Sequence, residues 1–169
     1  MEHSKTVSVQ AGAVSKIAIS FTLNQKCVEL HVSPTLRLVD ILRDELKVTG
    51  TKISCGIGRC GACSVLMDGM VINSCLLMAY QVDNAEITTI EGLKRDSELD
   101  LIQQAFLEEG GFQCGYCTSG MIMAVKSLLD ENLSPSDEEI KEHLSGNLCR
   151  CTGYGGIIRA VKRLSEQRK

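Results

Sequence analysis

Eight of the nine cysteines fall into two sets of four, Cys55-x4-Cys60-x2-Cys63-x11-Cys75 and Cys114-x2-Cys117-x31-Cys149-x1-Cys151. A chain that must bring four thiolates to one centre has few ways to run. In the first set three cysteines lie within the nine residues Cys55 to Cys63, so the backbone must wrap closely around what it holds. Gly56, Gly58 and Gly61 are interleaved with them. Glycine takes positive φ at low cost and lets the backbone approach a ligand. Backbone N–H groups freed in such a loop can face the sulfurs.

The first spacing is that of a plant-type [2Fe–2S] site, in which four thiolates hold the cluster. Structural zinc also takes four cysteines, but usually from two short paired knuckles rather than one glycine-rich loop and a later segment. Disulfides fit poorly. The cysteine count is odd and the N-terminus Met1-Glu2-His3-Ser4-Lys5 is polar with no apolar core behind it, which predicts a reducing, cytoplasmic location. Arg59 and Lys52 are candidates for offsetting cluster charge, although solvated side chains are the plainer reading. In the second set, Cys114-Gly115-Tyr116-Cys117 alone would equally suit a redox dithiol or half a zinc knuckle. Cys149-Arg150-Cys151 completes four ligands, and spacing alone then admits iron–sulfur or zinc. Cys27 belongs to neither set and reads as a packed or half-exposed free thiol. His3, His31 and His143 have no partner at ligand spacing.

Ile17 to Leu23 and Cys27 to Val32 alternate apolar and polar residues as half-buried strands, with a turn at Asn24-Gln25-Lys26. Pro34 and Thr35 are expected to open a helix with Leu38, Ile41, Leu42 and Glu45 at helical spacing. Asp68-Gly69 between Ser64–Met67 and Met70–Ile72 is a two-residue hairpin signal, and that hairpin returns Cys75 to the first loop. Ile87 to Ile90 predicts a last strand. Beyond it the pattern is helical, with Leu99, Ile102 and Phe106 on one face and Met121, Ala124, Val125 and Leu128 on another. Ser136 and Glu139 form a capping box that starts a short helix, and Ile158, Val161 and Leu164 mark a terminal one. The net charge of −3 gives nonspecific nucleic-acid binding no support, and no stretch is long and apolar enough to span a membrane.

Gly111-Phe112-Gln113-Cys114-Gly115-Tyr116-Cys117-Thr118-Ser119-Gly120-Met121 and Gly146-Asn147-Leu148-Cys149-Arg150-Cys151-Thr152-Gly153-Tyr154 resemble the iron–sulfur subunit of the molybdenum hydroxylases, the xanthine dehydrogenase family. Thr49-Gly50-Thr51-Lys52, Asp68-Gly69 and Asn73-Ser74-Cys75-Leu76 extend the likeness, which runs from about Lys16 to Leu164. It implies an α+β fold: a 1–15 extension, a ferredoxin-like β-grasp domain over 16–90, and a four-helix-bundle [2Fe–2S] domain over 91–169. It implies Cys55, Cys60, Cys63 and Cys75 as ligands of one [2Fe–2S] cluster and Cys114, Cys117, Cys149 and Cys151 as ligands of the other. Gln113 and Cys151 match positions that contact the pterin. A large molybdopterin-binding subunit and an FAD-binding medium subunit are the implied partners, in an oxidoreductase hetero-oligomer where this chain carries electrons and is not catalytic alone. Ser119 stands where the family commonly has proline, and Ser54 where it commonly has glycine. A free-standing two-cluster carrier and a zinc-binding interaction module are the competing readings.

Overall fold

The computed structural model describes residues 15–94 and 98–167; the 1–15 extension, apart from Ser15, and His3 lie outside them. β1 (Ile17–Leu23) buries Ile19, Phe21 and Leu23, every second residue, as a half-buried strand must. It pairs antiparallel with β2 (Lys26–Val32). Asn24 and Gln25 make the turn, both at positive φ (48° and 67°), the backbone of a two-residue hairpin whose twist matches its strands. β3 (Ser64–Met67) and β4 (Met70–Asn73) form the second hairpin across Asp68-Gly69, with φ of 51° and 84°. β5 (Glu86–Thr88) lies between the hairpins, parallel to β1 and antiparallel to β3. The sheet order is therefore β2-β1-β5-β3-β4. Asp68 pins β5 in place, since its carboxylate accepts the Glu86 N–H at 2.8 Å.

The helix expected from Pro34 begins later. α1 covers only Leu38–Asp40 and runs on as a π-helical turn over Ile41–Glu45. The cause is backbone pairing. Leu38 N–H donates to Leu77 O at 2.8 Å and Ala79 N–H to Leu36 O at 2.8 Å, which holds Arg37 extended in a bridge to Met78. The apolar spacing still holds, for Leu38, Ile41 and Leu42 are fully buried. The last strand is likewise displaced, ending at Thr88. Thr89 is clamped by the Asn24 side chain, which accepts its N–H at 2.9 Å, and Ile90–Leu93 turns into a 3-10 segment.

The remaining elements are α2 (Leu101–Glu108), α3 (Thr118–Glu131), α4 (Asp137–His143) and α5 (Gly155–Gln167). Ser136 and Glu139 make the expected reciprocal cap on α4. Ile102 and Phe106 are buried on α2, but Leu99 precedes the helix and is exposed. The fold is thus α+β, with a mixed sheet followed by helices.

Among the described residues, two large apolar cores flank the sheet. Ile19, Phe21, Leu38, Leu42, Val65 and Ile87 pack on one side of the sheet. Leu66 packs with Phe106, Met121, Val125, Leu129 and Val161 on the other. Val65 and Leu66 are neighbours in β3 and point to opposite faces. That strand is therefore covered on both sides, and α3 lies against it. This contact sets one cysteine segment beside the other.

Candidate metal centres

The segment from Cys55 to Cys63 has the tightly wound backbone its glycines predicted. Gly56, Gly58 and Gly61 sit at φ of 66°, 73° and 66°. This turns N–H groups inward. Arg59 N–H donates to Cys55 Sγ at 3.3 Å, Ile57 N–H to the same sulfur at 3.5 Å, and Gly58 N–H to Cys75 Sγ at 3.3 Å. The donors from Ile57 and then Arg59 bring the Cys55 thiol down to about 6. Burial pushes Cys63 up to about 12. Asn73 braces the loop by donating to Gly58 O at 3.1 Å, and Ser74 Oγ donates to Cys63 O at 2.7 Å. Cys63 and Cys75 are packed with Val39 and Ile53, which seals the inner side.

The second set is assembled from two distant segments. Cys114 and Cys117 lead into α3, and Cys149 and Cys151 lie in the turn before α5. Cys114 Sγ and Cys151 Sγ stand 3.8 Å apart. Cys117 and Cys149 are the other neighbouring pair. Burial, with Cys149 adding to it, pushes Cys117 up to about 12. At Cys149 burial also acts upward, but hydrogen bonds from the Thr152 hydroxyl (3.1 Å) and N–H (3.4 Å) outweigh it, and the thiol lies below its ordinary value. Cys151 is raised by its contact with Cys114.

In both sets the cysteines come two by two. Two thiolates bound at about 2.3 Å to one tetrahedral metal sit roughly 3.8 Å apart, which is the Cys114–Cys151 separation. Two such pairs suit a dinuclear core that takes two thiolates on each metal. Among the described residues, no three His, Cys, Asp or Glu side chains converge in the manner of a single-ion site.

Several supporting residues had no role assigned to them from the sequence. Arg37 lies beside the first set and is raised chiefly by its bidentate partner Asp40, with smaller contributions from Cys75 and Cys63. Lys52 instead donates to Thr49 O at 2.8 Å, and Arg59 contributes its backbone N–H. Asn147 and Tyr154 brace the second set, and nothing in their spacing marked them. Gln113 is exposed next to Cys114 in the chain, and Cys151 is exposed with its sulfur beside that of Cys114. Cys27 is exposed on β2, with Ser20 Oγ at 3.7 Å. Ser54 is exposed, whereas the Ser119 hydroxyl is buried in the first turn of α3 with no hydrogen-bond partner. No described helix is long and apolar enough to cross a membrane.

Comparison with known proteins agrees with this arrangement. A model of the 2Fe-2S iron-sulfur cluster binding domain matches residues 21–90, and one of the [2Fe-2S] binding domain matches 89–162. A probable xanthine dehydrogenase subunit of Bacillus subtilis is 58% identical over 154 residues, covering 91% of this chain and 88% of that one. The nicotinate dehydrogenase small FeS subunit of Eubacterium barkeri is 46% identical over 154 residues, covering 91% and 98%. A chain of quinoline 2-oxidoreductase from Pseudomonas putida 86 superposes with a TM-score of 0.87 at 43% identity, covering 90% of this chain and 95% of that one. With both family models spanning its two cysteine sets and relatives matched over nearly their whole length, the chain belongs to the iron–sulfur subunits of the molybdenum hydroxylase family and is an electron-transfer subunit of a multi-subunit oxidoreductase.

Proposed function

We propose that Cys55, Cys60, Cys63 and Cys75 hold one [2Fe–2S] cluster and Cys114, Cys117, Cys149 and Cys151 the other. The observation that carries this reading is the two-by-two pairing of each set, with N–H and O–H donors aimed at its sulfurs. A bound [2Fe–2S] group supplies one-electron storage. The chain's own residues hold it, exclude water and tune its potential through hydrogen bonds to sulfur. Cys63 and Cys75 do this from the buried side. Asn73 and Ser74 keep the loop from opening. The sheet portion reads as a ferredoxin-like β-grasp domain over 16–90 and the helical portion as a four-helix-bundle domain over 91–169.

The partners in this reading are a large molybdopterin-bearing subunit and a medium FAD-bearing subunit. The chain receives electrons at the face of Cys114 and Cys151 and delivers them from the face of Cys55, the less buried side of the first set. Exposed apolar side chains adjoin the cysteines of both sets in the chain: Ile57 and Leu76 at the first, and Phe112, Tyr116 and Leu148 at the second. Exposed apolar groups clustered around a redox site favour docked partners over a free-standing carrier. Gln113 and Cys151, both exposed and next to one another through Cys114, are the pterin contacts in this scheme.

Iron, sulfide and zinc analysis of the anaerobically purified chain tests the reading, together with EPR after dithionite reduction. About four irons, four sulfides and two distinct signals are expected. Stoichiometric zinc without a signal overturns it. In the assembled complex, Gln113→Ala is expected to alter the molybdenum EPR signal and slow turnover while both cluster signals persist. Unchanged turnover and molybdenum EPR would remove Gln113 from the scheme.

A further inference from the structure

Asn147 is a polar side chain with only 6% of its surface exposed, and it sits between the two cysteine segments. Its Nδ2 donates to Gly61 O at 3.1 Å, to Gly120 O at 3.2 Å and to Ser64 Oγ at 3.3 Å. Two N–H bonds serve three acceptors, so one of them is shared. Gly61 lies between Cys60 and Cys63. Gly120 lies in the first turn of α3, just after Cys117. Asn147 itself precedes Cys149 by two residues. One amide therefore ties together three backbone segments that carry thiolates of both sets.

The segments are as close as backbones allow. A Cβ on Gly120 would stand 2.0 Å from Gly61 O, and one on Gly61 would stand 2.4 Å from Asn147 Nδ2. Beside this clamp, Leu148 N–H donates to Cys60 O at 2.9 Å. That hydrogen bond joins a thiolate-bearing residue of the first set to the neighbour of Cys149 in the second. Tyr154 closes the turn from behind, where its hydroxyl accepts Cys149 N–H at 2.9 Å and donates to Asn147 O at 3.0 Å. Cys60 also lines the same cleft, of about 160 Å3, as Cys114, Cys117, Cys149 and Cys151. Cys60 is thus the member of the first set that faces the second.

We infer that Asn147 is the positioning residue for electron transfer between the two thiolate sets. It holds the Cys60 carbonyl on the Leu148 N–H, so that the electron crosses along Cys60, that one hydrogen bond, and the Leu148–Cys149 backbone. The inference rests on the two-cluster reading above. The step moves one electron only: one site is oxidised by one electron, the other is reduced by one, no bond breaks and no proton leaves. A bonded route with a single hydrogen-bonded gap is shorter in effect than a jump across the open cleft. Its length is fixed by whatever stops the two segments from sliding apart. An amide donor suits three oxygen acceptors, whereas a carboxylate there would set oxygen against oxygen.

The test uses the full chain carrying both clusters, with Asn147→Ala and the milder Asn147→Ser. Hydrogen exchange of the Leu148 amide reads the clamp directly. The magnetic interaction between the two reduced centres, read by low-temperature EPR, reports their relative placement. Leu148 exchange is expected to quicken by about tenfold, and the mutual splitting to shrink or vanish, while iron content and each centre's own g-values persist. Wild-type exchange and splitting in iron-replete variants would overturn the inference. So would loss of iron from both variants with helical circular dichroism intact, because Asn147 would then build one site rather than space two. Zinc in the wild-type chain would sink the two-cluster reading by metal analysis alone, and Leu148 exchange would still decide the clamp.

Discussion

The two cysteine sets reach similar pairings by opposite routes. The first is made almost entirely by one loop, whose backbone supplies both the thiolates and the N–H donors, and the β3–β4 hairpin only returns Cys75 to it. The second borrows two cysteines from the start of α3 and two from the turn before α5, and it exists only when the helices are packed. Burial follows the same division. Cys63 and Cys75 are 3% exposed, whereas Cys114 and Cys151 are open to solvent. A site written into one loop can be sealed on its inner side. A site made where helix ends meet keeps an open face, which suits a centre that must touch a partner's cofactor.

The largest expected effects come from removing one thiolate on each side. Cys75→Ser and Cys114→Ser should each lose half the iron and one EPR signal while keeping the other. They should differ in stability. Cys75 lies in a packed cluster with Cys63 and Val39, so its loss removes a metal staple and leaves a buried hydroxyl; several kcal/mol is the usual scale for such a loss. Cys114 lies at the surface, and its loss should lower the melting temperature less. Equal losses in the two variants would break the contrast between sealed and open sites.

The next effect falls where the two regions meet. Gly120→Ala would place a methyl group 2.0 Å from the Gly61 carbonyl, against backbone that cannot yield. Over-packing of this kind costs about 1–3 kcal/mol, which is roughly 2–12 °C in melting temperature for a chain of this size. Both EPR signals should survive at low temperature. An unchanged melting temperature would mean that α3 does not cross the first loop so closely.

The same contrast explains what the sequence made legible. The first site is local, so its ligands, its glycines and the Asp68-Gly69 return are all visible in a window of some twenty residues. The capping box at Ser136 and the buried faces of α2, α3 and α5 are local signals too. The parallel pairing of β1 with β5 is not, because it joins residues 22–23 with 86–87 and period-2 alternation says nothing about which edges meet. The late start of α1 is hidden for the same reason, being imposed by backbone bonds to residues 77–79. Asn147 is the sharpest case. Its partners are 27, 83 and 86 residues away, so an ordinary polar residue beside a cysteine gave no sign of the clamp.

A smaller effect probes the first loop from within. Gly58 sits at φ 73°, and an added Cβ would meet the end of the Leu76 side chain at 2.4 Å. Leu76 is exposed and can swing aside, so Gly58→Ala should cost only the left-handed backbone penalty of about 1–2 kcal/mol. The melting temperature should fall by roughly 2–8 °C, with the first EPR signal altered and the second untouched. A change in the second signal instead would mean that the two regions are not separable in this way.

The smallest effect separates the two kinds of donor. In the first set the sulfurs are served by backbone N–H groups, which no side-chain replacement removes. In the second, the Thr152 hydroxyl donates to Cys149 Sγ at 3.1 Å alongside the Thr152 N–H. Thr152→Val deletes that donor with little change in shape, although it also withdraws the Thr152 Oγ1 acceptor from Tyr154 N–H, 3.2 Å away. A donor to a thiolate stabilises the more negative, reduced state, so its loss should lower the potential of the second centre. One hydrogen bond of about 1 kcal/mol corresponds to ~40 mV for a one-electron couple. Redox titration followed by EPR should therefore show the second signal shifted down by roughly that amount, with the first unmoved. A shift of the first signal would reverse the assignment of Cys149 to the second centre. No shift in either would mean that backbone donors set both potentials, and the contrast between the two sites would then lie in their burial alone.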